Sequence, residues 1–514
     1  MQRLVVALTT LLGLTGIVVV AGYLFLFAAG TDRAARAAPA DTVAYVTVYL
    51  QPSSGQKMNL ANLLGRVPGF ADAASLDQKI HEISARLLGD AGLDYEGDLR
   101  PWLGNQLALA IAPGTPDAVL QPRAVLLVAV RDPEAAGAAL QRLAPGQSST
   151  YEGEEIVSGA DRAWALLDDL LVMGQDAAAV RAALNADAGR DASLSGQAGF
   201  AAAMRRLPAD HLAAAYLDLS GIAAAAGAEE QLDGYSTASF ALLAENEGLR
   251  VAGSAPFDAD AASAAAREAF ALASEPSSLA EWMPADTQAE LVVFGLSQSF
   301  AAAEEQLGGR GSEPIADALN QLRAVAALGL GINVDDDLLP LFDRDAAIAL
   351  GGLDGSSPDG LLLLRPSDPD AAQASLDRLR DALRDRGASV EETDVDGETI
   401  TLLRVPDLGT VAFAVRDGVI VAGLGADQVG EALRARADGS SLAATDRYRT
   451  AWELAGTRGG NEAFVDVAAV VDATGDALGI SGEVGDILRE IGALAITTPA
   501  RDDQSELHVV LTVR

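Results

Sequence analysis

Residue types that commonly build protein sites are scarce or missing from this chain. Its 514 residues include no cysteine, three histidines and only two lysines, Lys57 and Lys79. Without cysteine, disulfides, thiolate metal sites and cysteine nucleophiles are all excluded. Acidic residues outnumber basic ones, and the formal net charge is −37. Such a chain cannot neutralise a row of phosphates, which excludes nucleic acid as a partner, and anionic lipid repels it.

Charge is also absent from Leu4 to Gly30. As an α-helix this run spans about 40 Å, more than the roughly 30 Å of a bilayer core, and it exceeds the roughly 7–15 apolar residues of a cleavable signal peptide. We therefore expect a cytoplasmic tail over 1–3, a single-pass transmembrane anchor over 4–30, a juxtamembrane linker over 31–38 and an extracytoplasmic body. Two alternatives stay open: cleavage at the small-x-small segment Ala35-Arg36-Ala37, and the opposite orientation.

Similar segments recur in the same order and indicate a tandem duplication. Pro39-Ala40-Asp41-Thr42 reappears 245 residues later as Pro284-Ala285-Asp286-Thr287, each time before a strand-like run. Tyr216-Leu217-Asp218-Leu219 likewise matches Phe464-Val465-Asp466-Val467. The sequence thus predicts two homologous lobes, joined by a linker helix. Their expected bounds are 39–257 for the first lobe, 258–283 for the linker and 284–514 for the second lobe.

The periodicity within each lobe predicts an α+β fold, a mostly antiparallel sheet with packed helices. In the first lobe a strand at 43–50 leads to an amphipathic helix at 76–89. Asp132-Pro133 predicts a helix start, because Asp suits the N-cap and Pro the first helical position. Glu152-Gly153 and Asp396-Gly397 predict hairpin turns, in which Gly supplies a positive φ.

A set of short motifs follows in a fixed order along the first lobe. They are Pro39-Ala40-Asp41-Thr42-Val43-Ala44-Tyr45-Val46, Gln51-Pro52-Ser53-Ser54-Gly55-Gln56-Lys57, Pro68-Gly69-Phe70, Gly92-Leu93-Asp94-Tyr95 and Pro101-Trp102-Leu103-Gly104. In these segments the chain resembles the bacterial family known as domain of unknown function 3352. The resemblance implies an envelope protein, usually with one N-terminal membrane helix. It implies no activity, cofactor or catalytic residue.

The three histidines do not form a recognisable site. His81 lies in the amphipathic helix, His211 in a loop before a strand and His508 in the last strand. No two of them share a metal-ligand spacing, and no nucleophile, phosphate-loop or zinc motif occurs at a convincing position. We therefore predict no catalytic, cofactor-binding or metal-binding residues.

Acidic segments provide the remaining metal candidates. Asp394-Val395-Asp396-Gly397-Glu398 resembles the start of a calcium loop but lacks the later bidentate Glu, and we interpret it as a hairpin turn. A second cluster occurs in both lobes, and its members are Asp94, Glu96 and Asp98 in the first and Asp335, Asp336 and Asp337 in the second. We expect solvated, capped loops there, with weak calcium binding as the alternative.

Three further features have structural and functional interpretations. Gly423-Leu424-Gly425 has the wrong glycine offsets for a dinucleotide loop, and we expect a strand-to-helix turn before a helix at 428–436. The polar stretch that ends at Lys57 has no clear counterpart in the second lobe, which predicts a specialised surface loop. Trp102 is expected in the core, with a surface contact as the alternative.

These observations favour a non-enzymatic binding or scaffolding module of the bacterial envelope. The expected partners are the membrane, through the N-terminal helix, and an envelope protein or apolar ligand. The alternative function is a carrier that holds an apolar or lipid ligand in a cleft between or within the lobes, because pockets favour domain interfaces. A carboxylate-based enzyme is a third hypothesis, which no catalytic motif in the sequence supports.

Overall fold

The computed structural model describes most of the body of the chain. The described residues are 32–51, 53–66, 95–113, 122–226, 232, 234–298, 323, 333–353, 359–405 and 409–514. They divide into two compact units, Met1–Asp258 and Ala259–Arg514, called unit 1 and unit 2 below. No helix in these ranges has both the length and the hydrophobicity required to cross a bilayer. The predicted anchor at 4–30 and the predicted helix at 76–89 lie outside the described residues.

Unit 1 mixes strands with shorter helices. Its strands are β1 (Ala44–Tyr49), β2 (Leu103–Ala112), β3 (Arg123–Val130), β4 (Gln147–Tyr151), β5 (Glu154–Ser158), β6 (Ala163–Leu166), β7 (Leu170–Gly174), β8 (Ala213–Asp218), β9 (Thr237–Glu245) and β10 (Gly248–Pro256). Its described helices are α1 (Ala34–Ala37), α2 (Ser54–Leu64), α3 (Pro133–Leu143), α4 (Ala177–Asp187), α5 (Ala198–Arg206) and α6 (Leu219–Ala226), with a π-helical turn at Tyr95–Leu99.

The strands of unit 1 form an antiparallel sheet in the order β10-β9-β8-β1-β2-β3-β7-β6-β5-β4. Successive side chains of a strand point to opposite faces, so each strand contributes to two packing layers. On one face Leu127 and Val172 pack in a cluster with α4 and α5. On the other face their neighbours Val128 and Leu171 pack with α3.

Unit 2 has a similar composition of elements. Its strands are β11 (Ala289–Phe294), β12 (Asp345–Gly351), β13 (Asp359–Arg365), β14 (Ser389–Val395), β15 (Glu398–Val405), β16 (Gly409–Arg416), β17 (Val419–Gly423), β18 (Glu462–Asp466), β19 (Ile491–Thr497), β20 (Ala500–Arg501) and β21 (Gln504–Val513). Its described helices are α7 (Ala264–Leu272), α8 (Pro369–Asp385), α9 (Ala426–Asp438), α10 (Asp446–Ala455), α11 (Val467–Leu478) and α12 (Gly482–Glu490), with a π-helical turn at Val334–Leu338.

The sheet of unit 2 is also antiparallel, in the order β21-β19-β18-β11-β12-β13-β17-β16-β15-β14. Leu363 and Val421 of this sheet pack in one buried cluster with Leu433 of α9 and Trp452 of α10. The expected α+β class with an antiparallel sheet is therefore confirmed for both units. The two-residue strand β20 pairs with β21 and has no counterpart among the described strands of unit 1, and the other ten strands of unit 2 repeat the order within unit 1.

The N-cap at Asp132 and the two hairpin turns form where the sequence predicts them. Asp132 is the N-cap of α3, where its side chain accepts a hydrogen bond from the Ala135 amide at 3.0 Å. The two predicted hairpin turns have positive φ at both central residues, 52° and 94° at Glu152-Gly153 and 56° and 87° at Asp396-Gly397. This conformation matches the twist of the flanking strands, because it belongs to type I′ turns.

The predicted linkers are part of the folded units where the structure describes them. In the expected juxtamembrane linker, Ala34, Ala35 and Ala37 of α1 are at most 1% exposed. The expected linker helix at 258–283 contains α7 and then a 3-10 turn, whose Leu279 and Trp282 are buried in the core of unit 2. Apolar side chains in these segments pack against the sheet, which an exposed linker would not do.

Candidate functional site

The described histidines contact neighbours in their own units. Nδ1 of His211 lies 2.7 Å from the carbonyl oxygen of Pro208. Nε2 of His508 lies 3.0 Å from Oε2 of Glu506, two residues before it on β21. His81 lies outside the described residues. Within the ranges that the structure describes, no three His, Asp or Glu side chains are grouped so that they could hold a metal ion.

The acidic loops fold into the two π-helical turns, and their last carboxylates bind arginines. Asp98 forms an ion pair with Arg142 of α3, and Asp337 forms one with Arg378 of α8 at 2.6 Å. The second oxygen of Asp337 accepts the Asn333 amide at 2.9 Å. The hydrogen bond from Arg378 lowers the pKa of Asp337 below its ordinary value. Each carboxylate therefore ties its turn to the following helix of the same unit.

Other carboxylates of these loops are paired as well. Glu96 lies 2.6 Å from the guanidinium of Arg100, and Asp335 lies 2.6 Å from that of Arg323. Asp336 accepts a hydrogen bond from the Asn333 side chain. Asp94 lies outside the described residues. These contacts use the oxygens that a calcium ion would need as ligands.

The two glycine-containing motifs form turns. At the Asp394–Glu398 hairpin, Oδ1 of Asp394 accepts the Gly397 amide at 3.0 Å, which is a turn contact. Gly423 ends β17 and Gly425 is the N-cap of α9, as expected for a strand-to-helix turn. The α9 helix begins at Ala426, two residues before the expected start.

The segment around Lys57 differs from the prediction of a surface loop. It forms helix α2, because the Ser53 side chain accepts the Gln56 amide at 3.1 Å and caps the first turn. Lys57 is exposed on that turn, whereas Gln56 is buried and its Oε1 accepts the Ala244 amide of β9 at 2.7 Å. Trp102 is 4% exposed and packs with α3, in agreement with the core interpretation.

Sequence reasoning missed a buried polar cluster in unit 2. Glu290 of β11 and Glu462 of β18 are 3% and 1% exposed. Arg458 donates to Oε2 of Glu462 at 2.6 Å and to the Tyr448 hydroxyl at 3.1 Å, and it lies over the Trp452 ring at 4.7 Å. The Tyr448 hydroxyl in turn donates to Oε1 of Glu290 at 3.4 Å. Arg458 thus contacts the Glu462 carboxyl group directly and is linked to the Glu290 carboxyl group through the Tyr448 hydroxyl.

Glu290 is the less well compensated of the two buried carboxyl groups in this cluster. Its Oε2 has no hydrogen-bond partner among the described residues. Burial raises its pKa to about 8, and the charge of Glu462 adds to this, while Arg458 and Tyr448 act in the opposite direction. At neutral pH the group is therefore mostly protonated. A carboxylic acid of this kind can donate a proton in an open site, but Glu290 lies in the core between the sheet and α10, which favours a structural role.

The matched strands contain the signal that would have identified Glu290. Ala44-Tyr45-Val46 and Ala289-Glu290-Leu291 occupy the same places in β1 and β11. Tyr45 is fully buried in unit 1, so the inward position of β11 holds a carboxyl group where its counterpart holds an aromatic ring. A charged residue at an inward strand position predicts a buried network.

Each unit also exposes a short row of large apolar side chains on its sheet. In unit 1 the row consists of Val46, Leu109 and Leu126, which are 37%, 38% and 36% exposed and lie opposite one another on β1, β2 and β3. We call it the unit 1 strip. Side chains at directly opposite positions of neighbouring strands touch, so the row is continuous.

The unit 2 strip consists of Leu291, Ile348 and Leu362 on β11, β12 and β13. Leu291 is 48% exposed, Ile348 is 47% exposed, and Leu362 is half-buried. Both strips use the third residue of the first strand of their unit and its cross-strand neighbours. Beyond the expected binding role, the sequence did not identify these residues, because near-continuous apolar runs such as 124–130 and 361–364 are typical of strands that are covered on both faces.

Comparisons with known proteins give a family and a distant structural likeness. The model of the family described as protein of unknown function (DUF3352) matches residues 4–513. No curated protein matches the sequence. Crystal form I of TP0453 covers 44% of this chain and 78% of its own chain at 9% identity, with a TM-score of 0.25. Crystal form III is similar, with 10% identity and a TM-score of 0.25. Scores this low carry no argument about function or fold.

Proposed function

The chain belongs to the DUF3352 family of proteins of unknown function, and we propose that it acts as a non-enzymatic binding module of the bacterial envelope. The observation that carries the proposal is the recurrence of an exposed apolar strip at the same sheet position in both units. Single exposed apolar residues are ordinary on protein surfaces. A continuous row is different, because contiguous exposed apolar surface is typical of interaction sites.

The proposal includes the origin and the location of the two units. We infer that they arose by duplication of one ancestral unit. The ordered sequence matches support this inference, as does the order of ten strands that the two units share. We infer also that residues 4–30 anchor the chain in the cell membrane with the body outside the cytoplasm, which the uncharged run supports. Protease added to intact spheroplasts will digest the body under this orientation. Protection of the body would contradict it.

The strips are tested by polar substitution in the full-length, membrane-bound chain. The variant Val46→Thr/Leu109→Thr/Leu291→Thr/Ile348→Thr keeps β-compatible side chains but removes much of the apolar surface. The matched control is Leu424→Thr/Val484→Thr, which changes apolar residues that are 67% and 63% exposed but lie outside the strips. Chemical cross-linking in membranes is followed by purification and mass spectrometry.

We expect cross-linked species that the wild type and the control share and the strip variant lacks. Species that persist in the strip variant would contradict the proposal. Circular dichroism melting of all three proteins shows whether the variant is folded. Organic extracts of the same samples distinguish the alternative function, a carrier of an apolar ligand. An acyl-chain compound that copurifies with the wild type but not with the strip variant would favour the carrier.

A further inference from the structure

Strand β4 forms one outer edge of the unit 1 sheet. In the part of unit 1 that the structure describes, it pairs only with β5, from Gln147 opposite Ser158 to Tyr151 opposite Glu154. An edge strand directs alternate N–H and C=O groups away from the sheet, where another strand can bind them. Proteins usually protect such edges with charged residues, proline or bulges.

The edge of β4 has none of these protections. Its first four residues, Gln147, Ser148, Ser149 and Thr150, are exposed, and all five are uncharged. The register of β4 with β5 runs without a shift, so the strand has no bulge. Its serine and threonine side chains are compatible with a paired strand on each side of β4, and the strand contains no proline.

Strand β14 occupies the same outer position in unit 2 and differs in this respect. It pairs with β15, with Val395 opposite Glu398 as Tyr151 is opposite Glu154. In this alignment Glu391 and Glu392 stand at the positions of Gln147 and Ser148 in β4. The two edge strands therefore differ in protection, because β14 has carboxylates at positions where β4 has neutral side chains.

The charges around β4 indicate which strand would bind. The turn after it contains Glu152, and β5 begins with Glu154 and Glu155. The guanidinium of Arg181 lies 5.3 Å from the centroid of the Tyr151 ring and offsets part of this charge. The chain as a whole has a net charge of −37, which opposes the approach of a second copy.

We propose that β4 binds an extended, lysine- or arginine-bearing segment of a partner protein, which adds to the sheet as an antiparallel strand. The backbone of β4 supplies the hydrogen bonds, and the carboxylates of the β4–β5 hairpin attract the basic side chains. This surface is separate from the unit 1 strip, because β4 is the outermost strand and the strip lies on β1, β2 and β3.

The test uses the full-length protein in detergent and a fluorescent peptide of about seven residues, the length of an ordinary strand. In the peptide Thr occupies every second position, and the positions between are Lys or Val. Two further peptides separate backbone pairing from attraction between charges. One carries N-methyl groups on alternate residues and keeps the charge, and the other has Glu in place of Lys. The protein variant Gln147→Lys/Ser148→Lys places on the β4 edge the positive charge that would repel a basic strand, and Gln147→Ala/Ser148→Ala is its matched neutral control.

We expect the basic peptide to bind the wild type and the alanine control, and to bind the lysine variant at least about tenfold more weakly, since like charges on neighbouring strands repel and each tenfold corresponds to only 1.4 kcal/mol. The N-methylated and acidic peptides should not bind. Equal binding of the basic and the N-methylated peptide to the wild type would overturn strand addition. This comparison needs no protein variant. Equal binding to the lysine variant, no binding of the basic peptide, or a dimer that the lysine variant abolishes would also overturn the proposal.

Discussion

At the scale of single residues, Glu290 is the most unusual group in the described chain. It is buried in the sheet of unit 2, one of its oxygens lacks a hydrogen-bond partner among the described residues, and the only guanidinium beside it in the described cluster is bound to Glu462. A buried carboxyl group avoids the desolvation penalty by keeping its proton. Glu290 is therefore better understood as a neutral acid in the core than as a charged one.

The raised pKa of Glu290 makes the stability of unit 2 depend on pH. Its pKa is about 8 in the folded protein, against an ordinary value of 4.5, so the folded state holds the proton more tightly. The contribution of Glu290 to the free energy of unfolding is thus fully present below pH 4.5 and is lost as the pH rises through 8. At about 1.4 kcal/mol per pKa unit, we expect this fall to reach about 3–5 kcal/mol.

Glu290→Gln removes this titration, and the variant should show a flatter pH profile. Urea unfolding at pH 5 and pH 9 measures the difference for the wild type, the variant and the exposed control Glu391→Gln. An equal loss of stability between the two pH values in the wild type and in Glu290→Gln would contradict the assignment of the raised pKa to this residue.

At the scale of elements, strands and capped helices were predictable from sequence because their signals are local. The expected strand at 43–50 is β1, and the helix expected after Asp132 is α3. Helix α2 was missed because the polar segment before it resembles a loop, although Ser53 is an N-cap. The helix at Leu219–Ala226 was also missed, since its run of small residues after Asp218 has no amphipathic stripe.

The π-helical turn of unit 2 provides a test of the acidic loops. Asp337 accepts the Asn333 amide and binds Arg378, so Asp337→Ala removes one cap contact and one ion pair. We expect a loss of about 0.5–2 kcal/mol, the usual cost of a lost cap. The melting temperature should not respond to calcium. A melting temperature that rises with calcium in the wild type, but not in Asp337→Ala, would show that the loop holds an ion.

The segment at 32–38 allows a prediction about processing. Asp32 accepts hydrogen bonds from the Tyr45 hydroxyl and from the Gln106 side chain, both at 2.6 Å, and Arg33 lies 2.9 Å from Asp169. Cleavage after Ala37 would remove these contacts together with helix α1. We therefore expect protein recovered from membranes to retain residues 32–38. Intact-mass measurement that places the N-terminus at Ala38 would contradict this expectation.

At the scale of the whole molecule, composition predicted the class of protein better than its surfaces. The absence of cysteine excluded disulfides, and the periodicity within each repeated lobe predicted a packed α+β core. The strips and the β4 edge could not be predicted, because exposure depends on which strands are neighbours and on which face a helix covers. Strand order decides the first and helix packing decides the second, and both depend on contacts between residues that are distant in the sequence.

The central claim is that each apolar strip is a binding surface of its own unit, and site-specific photo-cross-linking in native membranes tests it most directly. A photoreactive amino acid is placed at Leu109 or Leu291 in the strips, and at Met58 or Leu424 as exposed controls outside them. We predict adducts of defined mass from both strip positions and none from the controls. Equal labelling from all four positions, or no adduct from Leu109 and Leu291, would contradict the account.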